Sequence, residues 1–302
     1  MALRCEVGGR ATAFVLAGFL GAGLVVVPNE AGAALIVRKA GGGTVAQLSD
    51  AIVKTLEKKG GGKKARVVEL TGDPIADGAR LEREAAGESV VFAVGPEAVT
   101  AAGGVEGLSV VALAVPNPAK LKTSGTYISI YPKLEQIFAF LKGKLHAKEV
   151  GFLYSASQNT EVAVSFKKMA DSQGLSLWPL PVSSSADLAR TMSQAMPKID
   201  VLVLAVDPIL FDRQNLKIIV AAATAAKKPT VGFLDGLPGL GVTVSLVAEP
   251  SASAALAVGV SEGAKTEGKK LVDVDSAMVV FSKKSAEAVG IDPEASGANK
   301  IE

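Results

Sequence analysis

From residue 34 onward the chain alternates short apolar runs of β type with amphipathic stretches at helical spacing, and it does so twice in the same order. Alternation of this kind belongs to parallel sheets covered by helices on both faces, because each strand hands over to a helix that must return across the sheet. In the first half Ala34 to Val37 is a strand. The next stretch sets Val45, Leu48, Ile52 and Leu56 on one helical face and Asp50, Lys54 and Glu57 on the other. Gly60-Gly61-Gly62 ends that helix. Further strands are predicted over Arg66 to Leu70, Ser89 to Val94 and Leu108 to Val115. A helix runs over Ile75 to Ala86, and a short one starts near Glu97. In the second half the strands are Glu149 to Tyr154, Leu175 to Val182, Val201 to Val206 and Thr230 to Leu234. The helices between them are Thr160 to Gln173, with Val162, Phe166 and Met169 inward, then Ala186 to Met196 and Leu210 to Ala226. Ser185 is placed to cap the second of these helices.

The halves agree in detail. Val94-Gly95-Pro96 and Val206-Asp207-Pro208 both set a proline just past the third strand. The expected fold class is therefore α/β, with two Rossmann-like lobes, each a parallel sheet, joined by a hinge. One large doubly wound sheet is the alternative, and the length of the chain disfavours it. Gly125 to Pro132, Gly241 to Leu246 and Ala277 to Phe281 are extended stretches suited to crossing between lobes, and several crossings make a hinge that can close on a ligand. The expected division is residues 34–126 plus 243–275 for the N-terminal lobe and 127–242 plus 276–302 for the C-terminal lobe.

Residues 1–33 read as a signal peptide: Arg4 and Arg10 at the start, an apolar run from Ala11 to Val27, the break at Pro28, and Ala31-Gly32-Ala33 as the cleavage site. The competing reading is a membrane tether, for which the apolar run is somewhat short and lacks a charged stop. The single cysteine, Cys5, lies inside this segment. A periplasmic protein is expected, without a disulfide, and the chain is long enough to hold itself together by its core.

Composition excludes several chemistries. A formal net charge of +2 with no basic stripe argues against nucleic acid. One histidine, His146, and no cysteine beyond Cys5 make a zinc site or a nucleophilic triad improbable, so no catalytic residue, metal or cofactor is expected. Gly41-Gly42-Gly43-Thr44-Val45-Ala46 fits the dinucleotide pattern G-x-G-x-x-A, with Glu69 at the end of the next strand. Against it stands the export signal, because Arg4 and Arg10 are not the paired arginines that export of a folded, loaded protein requires. Gly60 to Lys64 lacks the spacing of a phosphate-binding loop.

In open α/β sheets ligands bind beyond the carboxyl ends of the strands. That rule selects Thr44, Gly95, Pro96, Glu97 and Asn117 from the first half, and Ser157, Asn159, Asp207 and Asp235 from the second. The crossing stretch adds Ser129 and Tyr131. Backbone N–H groups with Thr44, Ser157 or Asn159 suit an anionic group, and Glu97, Asp207 or Asp235 suit an ammonium. Local turn chemistry explains the same residue types at each single position.

Certain runs resemble the ABC-transporter substrate-binding proteins of the tryptophan/tyrosine-binding type: Val150 to Tyr154, Val182 to Leu188, Ile199 to Val203, Lys228 to Phe233 and Lys284 to Ile291. Val94 to Ala98 and Pro116-Asn117-Pro118 resemble that family's turns in the first lobe. The resemblance is strongest from about Gly125 to Pro293. It implies the type 1 periplasmic-binding-protein fold and a small organic ligand clamped between lobes. It also implies delivery to an inner-membrane permease by a protein that does no chemistry, expected here as a monomer. Two stretches depart from the family pattern, Arg38 to Gly43 and the apolar Gly236 to Leu240. They bring a more apolar ligand, a lipid among them, into view beside an amino acid. The alternative function is a periplasmic accessory or sensor module that binds a protein partner, and a cleft filled by its own side chains would favour it.

Overall fold

The computed structural model describes residues 34–59, 64–263 and 268–302. The expected signal peptide and the turn at Gly60-Gly61-Gly62 lie outside the described residues. In chain order the first elements are β1 (Ala34–Lys39), α1 (Thr44–Lys58), β2 (Ala65–Leu70), α2 (Pro74–Glu84), β3 (Val90–Val94), α3 (Pro96–Ala102), β4 (Ser109–Val115) and β5 (Gly125–Pro132). Next come α4 (Leu134–Gly143), β6 (Glu149–Ser155), α5 (Ala156–Ser172), β7 (Ser176–Val182), α6 (Ser185–Ala195), β8 (Val201–Leu204), α7 (Arg213–Ala225) and β9 (Thr230–Gly232). The chain closes with β10 (Val244–Ala248), α8 (Pro250–Ser261), β11 (Lys269–Val274), β12 (Ala277–Phe281), α9 (Lys283–Val289) and β13 (Lys300–Ile301).

Two sheets form, and five strands of each follow the same order. The first runs β11-β5-β4-β3-β1-β2 and the second β13-β12-β10-β9-β8-β6-β7. Every pairing is parallel except β10 with β12. The interior strands are buried on both faces, β4 from Val110 to Val115 and β8 throughout, which is why they read as unbroken apolar runs. Helix α1 turns Leu48, Ile52 and Leu56 inward. Asp73 starts α2 by accepting from the N–H groups of Ile75 and Ala76, and Asp212 starts α7 in the same way.

The helices after the fifth strand of each half change sides. Helix α4 follows β5 but packs on α5 of the second lobe, whereas α8 follows β10 but packs on α1 of the first. Each lobe is thus completed by chain from the other half. The three crossings lie side by side: Lys133 N–H donates to Val274 O at 3.3 Å, and Glu249 N–H to Ser276 O at 3.0 Å.

Three expectations need correction. The stretch from Gly125 to Pro132 is not a crossing strand that opens the C-terminal lobe, because it pairs with β4 and β11 inside the first sheet. Gly125, at φ 155°, permits that pairing: a Cβ there would lie 2.5 Å from the Val110 carbonyl oxygen. In the same way 244–248 and 277–281 pair with each other inside the second sheet. The chain crosses instead at Pro132 to Leu134, Ala248 to Pro250 and Val274 to Ala277. Ser185 does not cap α6. It is already helical, and its hydroxyl accepts from Asn215 Nδ2 at 2.9 Å.

Candidate ligand-binding cleft between the lobes

The facing sides of the lobes meet around Tyr131, at the end of β5. Its ring packs edge-on against Phe233, 4.9 Å between centroids, and against Phe166, 5.7 Å. Phe166 stacks in turn on Phe152 at 4.4 Å. Tyr131 is buried, and its phenolic oxygen accepts from Val206 N–H at 3.1 Å. Burial pushes its acidity far out of the physiological range, so it acts as a neutral polar tip on an apolar wall.

Beside this aromatic cluster lies a cavity of about 380 Å³. The first lobe contributes Val115 to Ala119, Ser129 to Pro132, and Leu271 and Asp273 of β11. The second contributes Leu134 and Glu135 of α4 and Glu161, Val162, Ser165, Phe166 and Met169 of α5. Its volume falls in the range of roughly 300–1,000 Å³ common for small-molecule sites. On the other side of Ser129 the lobes touch directly. A void of only about 20 Å³ remains there among Thr44, Gln47, Leu48, Leu113, Ile128, Ile130 and Phe233.

Polar contacts join the lobes at the rim. Asn117, which holds its own turn by accepting from Ala119 N–H, reaches across to donate to Gln158 O and to Glu161 Oε2, the latter at 3.0 Å. Lys120 approaches Glu161 at 3.6 Å. Glu161 is held below the usual carboxylate range by backbone hydrogen bonding and by Asn117. At the other end Gln47 Nε2 donates to Asp235 Oδ2 at 3.2 Å.

The residues selected from sequence divide into groups. Asn117, Ser129 and Tyr131 line the cavity, and Thr44 and Ser129 line the small void. Asp235 faces Gln47 and Lys300. Gly95 starts α3, Pro96 is that helix's first residue, and Glu97 points outward to Lys39 at 3.3 Å; none of the three lines the cavity. Ser157 is exposed on the first turn of α5 and also does not line it.

Asn159 and Asp207 are buried and turned toward each other. Asp207 Oδ2 accepts from Ser155 N–H at 3.0 Å, from the Ser155 hydroxyl and from Asn159 Nδ2 at 2.7 Å, while Oδ1 accepts from Ile209 N–H at 2.9 Å. With both oxygens engaged, Asp207 is not the ammonium partner expected of it; it ties the carboxyl end of β6 to that of β8. Asn159 sits at φ −126°, ψ 23°, off the helical path of α5, and its Oδ1 is buried with no hydrogen-bond partner.

Glu135, Glu161, Asp273, Phe166 and Met169 line the cavity without having been selected. The inward stripe Val162, Phe166 and Met169 was visible in the sequence, but as core. Among the described residues no group of three or more His, Cys, Asp or Glu is arranged to hold a metal ion, and His146 is exposed. No helix among them is long and apolar enough to cross a membrane.

The sequence model of the ABC transporter substrate binding protein family matches residues 126–296, more than half of the chain. The chain belongs to this family, and its role is to bind a solute. Among solved structures, the chain is similar to a ligand-free, open substrate binding protein with adhesive properties from Clostridium difficile. That pair has 18% identity and a TM-score of 0.70, over 89% of this chain and 98% of the other. It is also similar to an ABC domain in complex with L-Trp from Streptococcus pneumonia, at 21% identity and a TM-score of 0.61, over 89% and 99% of the two chains. A conserved domain protein from Vibrio cholerae gives 20% identity and a TM-score of 0.61, over 90% and 100%. These likenesses establish the two-lobed fold of type 1 periplasmic binding proteins. A search of curated protein sequences finds no match.

Proposed function

We propose that this chain works in the periplasm as the soluble receptor of an ABC-type importer. On this reading it holds a small, mainly apolar organic molecule in the cavity beside Tyr131, presents it to an inner-membrane permease as a monomer, and does no chemistry on it. The observation that carries the proposal is a cavity whose wall comes from both lobes, with Asn117 bonded to Glu161 at its rim and Gln47 to Asp235 beyond the small void, contacts that need the lobes close together. A ligand bridging the walls would favour the closed arrangement by the difference between its affinities for closed and open forms. The family's general role supports transport, and the mainly apolar lining supports the ligand class.

A second reading has its own observation. Around Thr44 and Phe233 the cleft is filled by the protein's own side chains, as in an accessory module whose lobes stay shut on a protein partner's behalf. Titration with the neutral fluorophore N-phenyl-1-naphthylamine separates the two. A receptor gives a saturable rise in emission at one dye per chain, lost in Ser165→Trp, which places an indole in the cavity from an exposed position on α5. No saturable binding, or binding unchanged in Ser165→Trp, would favour the shut module.

A further inference from the structure

The charges around the cavity are of one sign. Glu135 from α4, Glu161 from α5 and Asp273 from β11 border it, and no lysine or arginine does. The small void on the other side of Ser129 has no charged residue at all. Two nearby cations are already engaged: Lys120 lies against Glu161, and Lys133, at the first crossing, pairs with Asp275. The side chains of Glu135 and Asp273 accept no hydrogen bond and form no direct ion pair among the described residues, although both lie in the field of Lys133; both are exposed at the cavity's edge.

A molecule with an apolar body and a carboxylate would therefore bring its negative charge against three carboxylates, with the two nearby lysines already paired to Glu161 and Asp275. A molecule with the same body and an ammonium would bury the body against Tyr131, Phe166 and Met169 and leave its charge at the rim, between Glu135 and Asp273. Like charges brought into one site cost free energy or force a proton onto one of them, whereas an opposite charge relieves them. We infer that the ligand of this cavity is an organic amine with an apolar body and without a carboxylate. The inference rests on the proposed receptor function and narrows its ligand class. Backbone hydrogen bonding, the Asn117 amide and the pull of Lys120 hold Glu161 below the usual carboxylate range.

Displacement of N-phenyl-1-naphthylamine from the purified chain by three matched indoles tests this. Tryptamine carries only the amine, indole-3-propionate only the acid, and L-tryptophan both. Tryptamine is expected to displace the dye at a concentration about tenfold lower than either of the others, since each rim carboxylate contributes what an exposed ion pair can. The double variant Glu135→Gln, Asp273→Asn is expected to reduce that preference to about twofold, each indole being read against the variant's own dye affinity. Equal potency of the three indoles, a preference for either acid-bearing one, or a tryptamine preference that survives the double variant would overturn the inference and leave the receptor reading intact. Failure of the neutral dye itself to bind the wild-type chain would overturn both.

Discussion

The two lobes share a strand order, β5-β4-β3-β1-β2 against β10-β9-β8-β6-β7, yet they hold their ligand-side loops by different means. In the second lobe the loops after β6 and β8 are tied together by a buried carboxylate, Asp207, which takes four donors from Ser155, Asn159 and Ile209. Tyr131 adds a further tie through Val206. In the first lobe the equivalent loops are glycine. Gly43 precedes α1 at φ 70° and Gly95 precedes α3 at φ 99°, and neither helix start has a side-chain cap. One jaw is thus pinned by side chains and the other shaped by backbone alone. Glycine loops with no side-chain anchor adjust at lower cost than a saturated buried network, so the first lobe is the one expected to adapt to a ligand.

Substitutions that break this asymmetry should differ in size. Asp207→Ala removes the acceptor for four donors in the interior of the second lobe, and urea unfolding should report a loss of about 3–4 kcal/mol. Gly95→Ala should cost about 2 kcal/mol in the same assay, from backbone strain alone, because the nearest atoms to the added Cβ are 3.9 Å away and leave room for it. A smaller loss of about 1 kcal/mol is expected for Tyr131→Phe, which keeps the aromatic packing and leaves only the Val206 N–H without its acceptor. Asn117→Ala should change stability least, by about 0.5 kcal/mol, since its cross-lobe bonds lie at an exposed rim. Its effect belongs to lobe closure: small-angle scattering should show a larger radius of gyration than the wild type. If Gly95→Ala proved costlier than Asp207→Ala, the pinned and adaptable jaws would have been assigned the wrong way round.

Much of the architecture was legible in the sequence because its signals are local. Parallel strands buried on both faces leave apolar runs, and the proline after the third strand of each half marks the correspondence between Gly95 and Asp207. Other features depend on distant chain. Strand β11 reaches β5 from more than a hundred residues away, so nothing near Ser129 or Tyr131 announces that Asp273 will stand at the same cavity. Helix α4 follows Pro132 with neither a capping side chain nor a glycine to mark its start, and Glu135 went unnoticed with it. Phe166 and Met169 were visible as an inward stripe, but periodicity records only that a face is turned from solvent, and a cavity wall has the same spacing as a core. For Asn159 and Asp207 the loop position was legible, while the direction of their side chains was settled by packing.

Native mass spectrometry of the protein purified from the cells that produce it tests the central claim, an interlobe cavity that holds a small ligand, most directly. The expected spectrum contains the chain with one added small molecule, and Ser165→Trp purified in the same way carries none. A wild-type chain with no added mass, or a Ser165→Trp chain that carries the same added mass as the wild type, would contradict it.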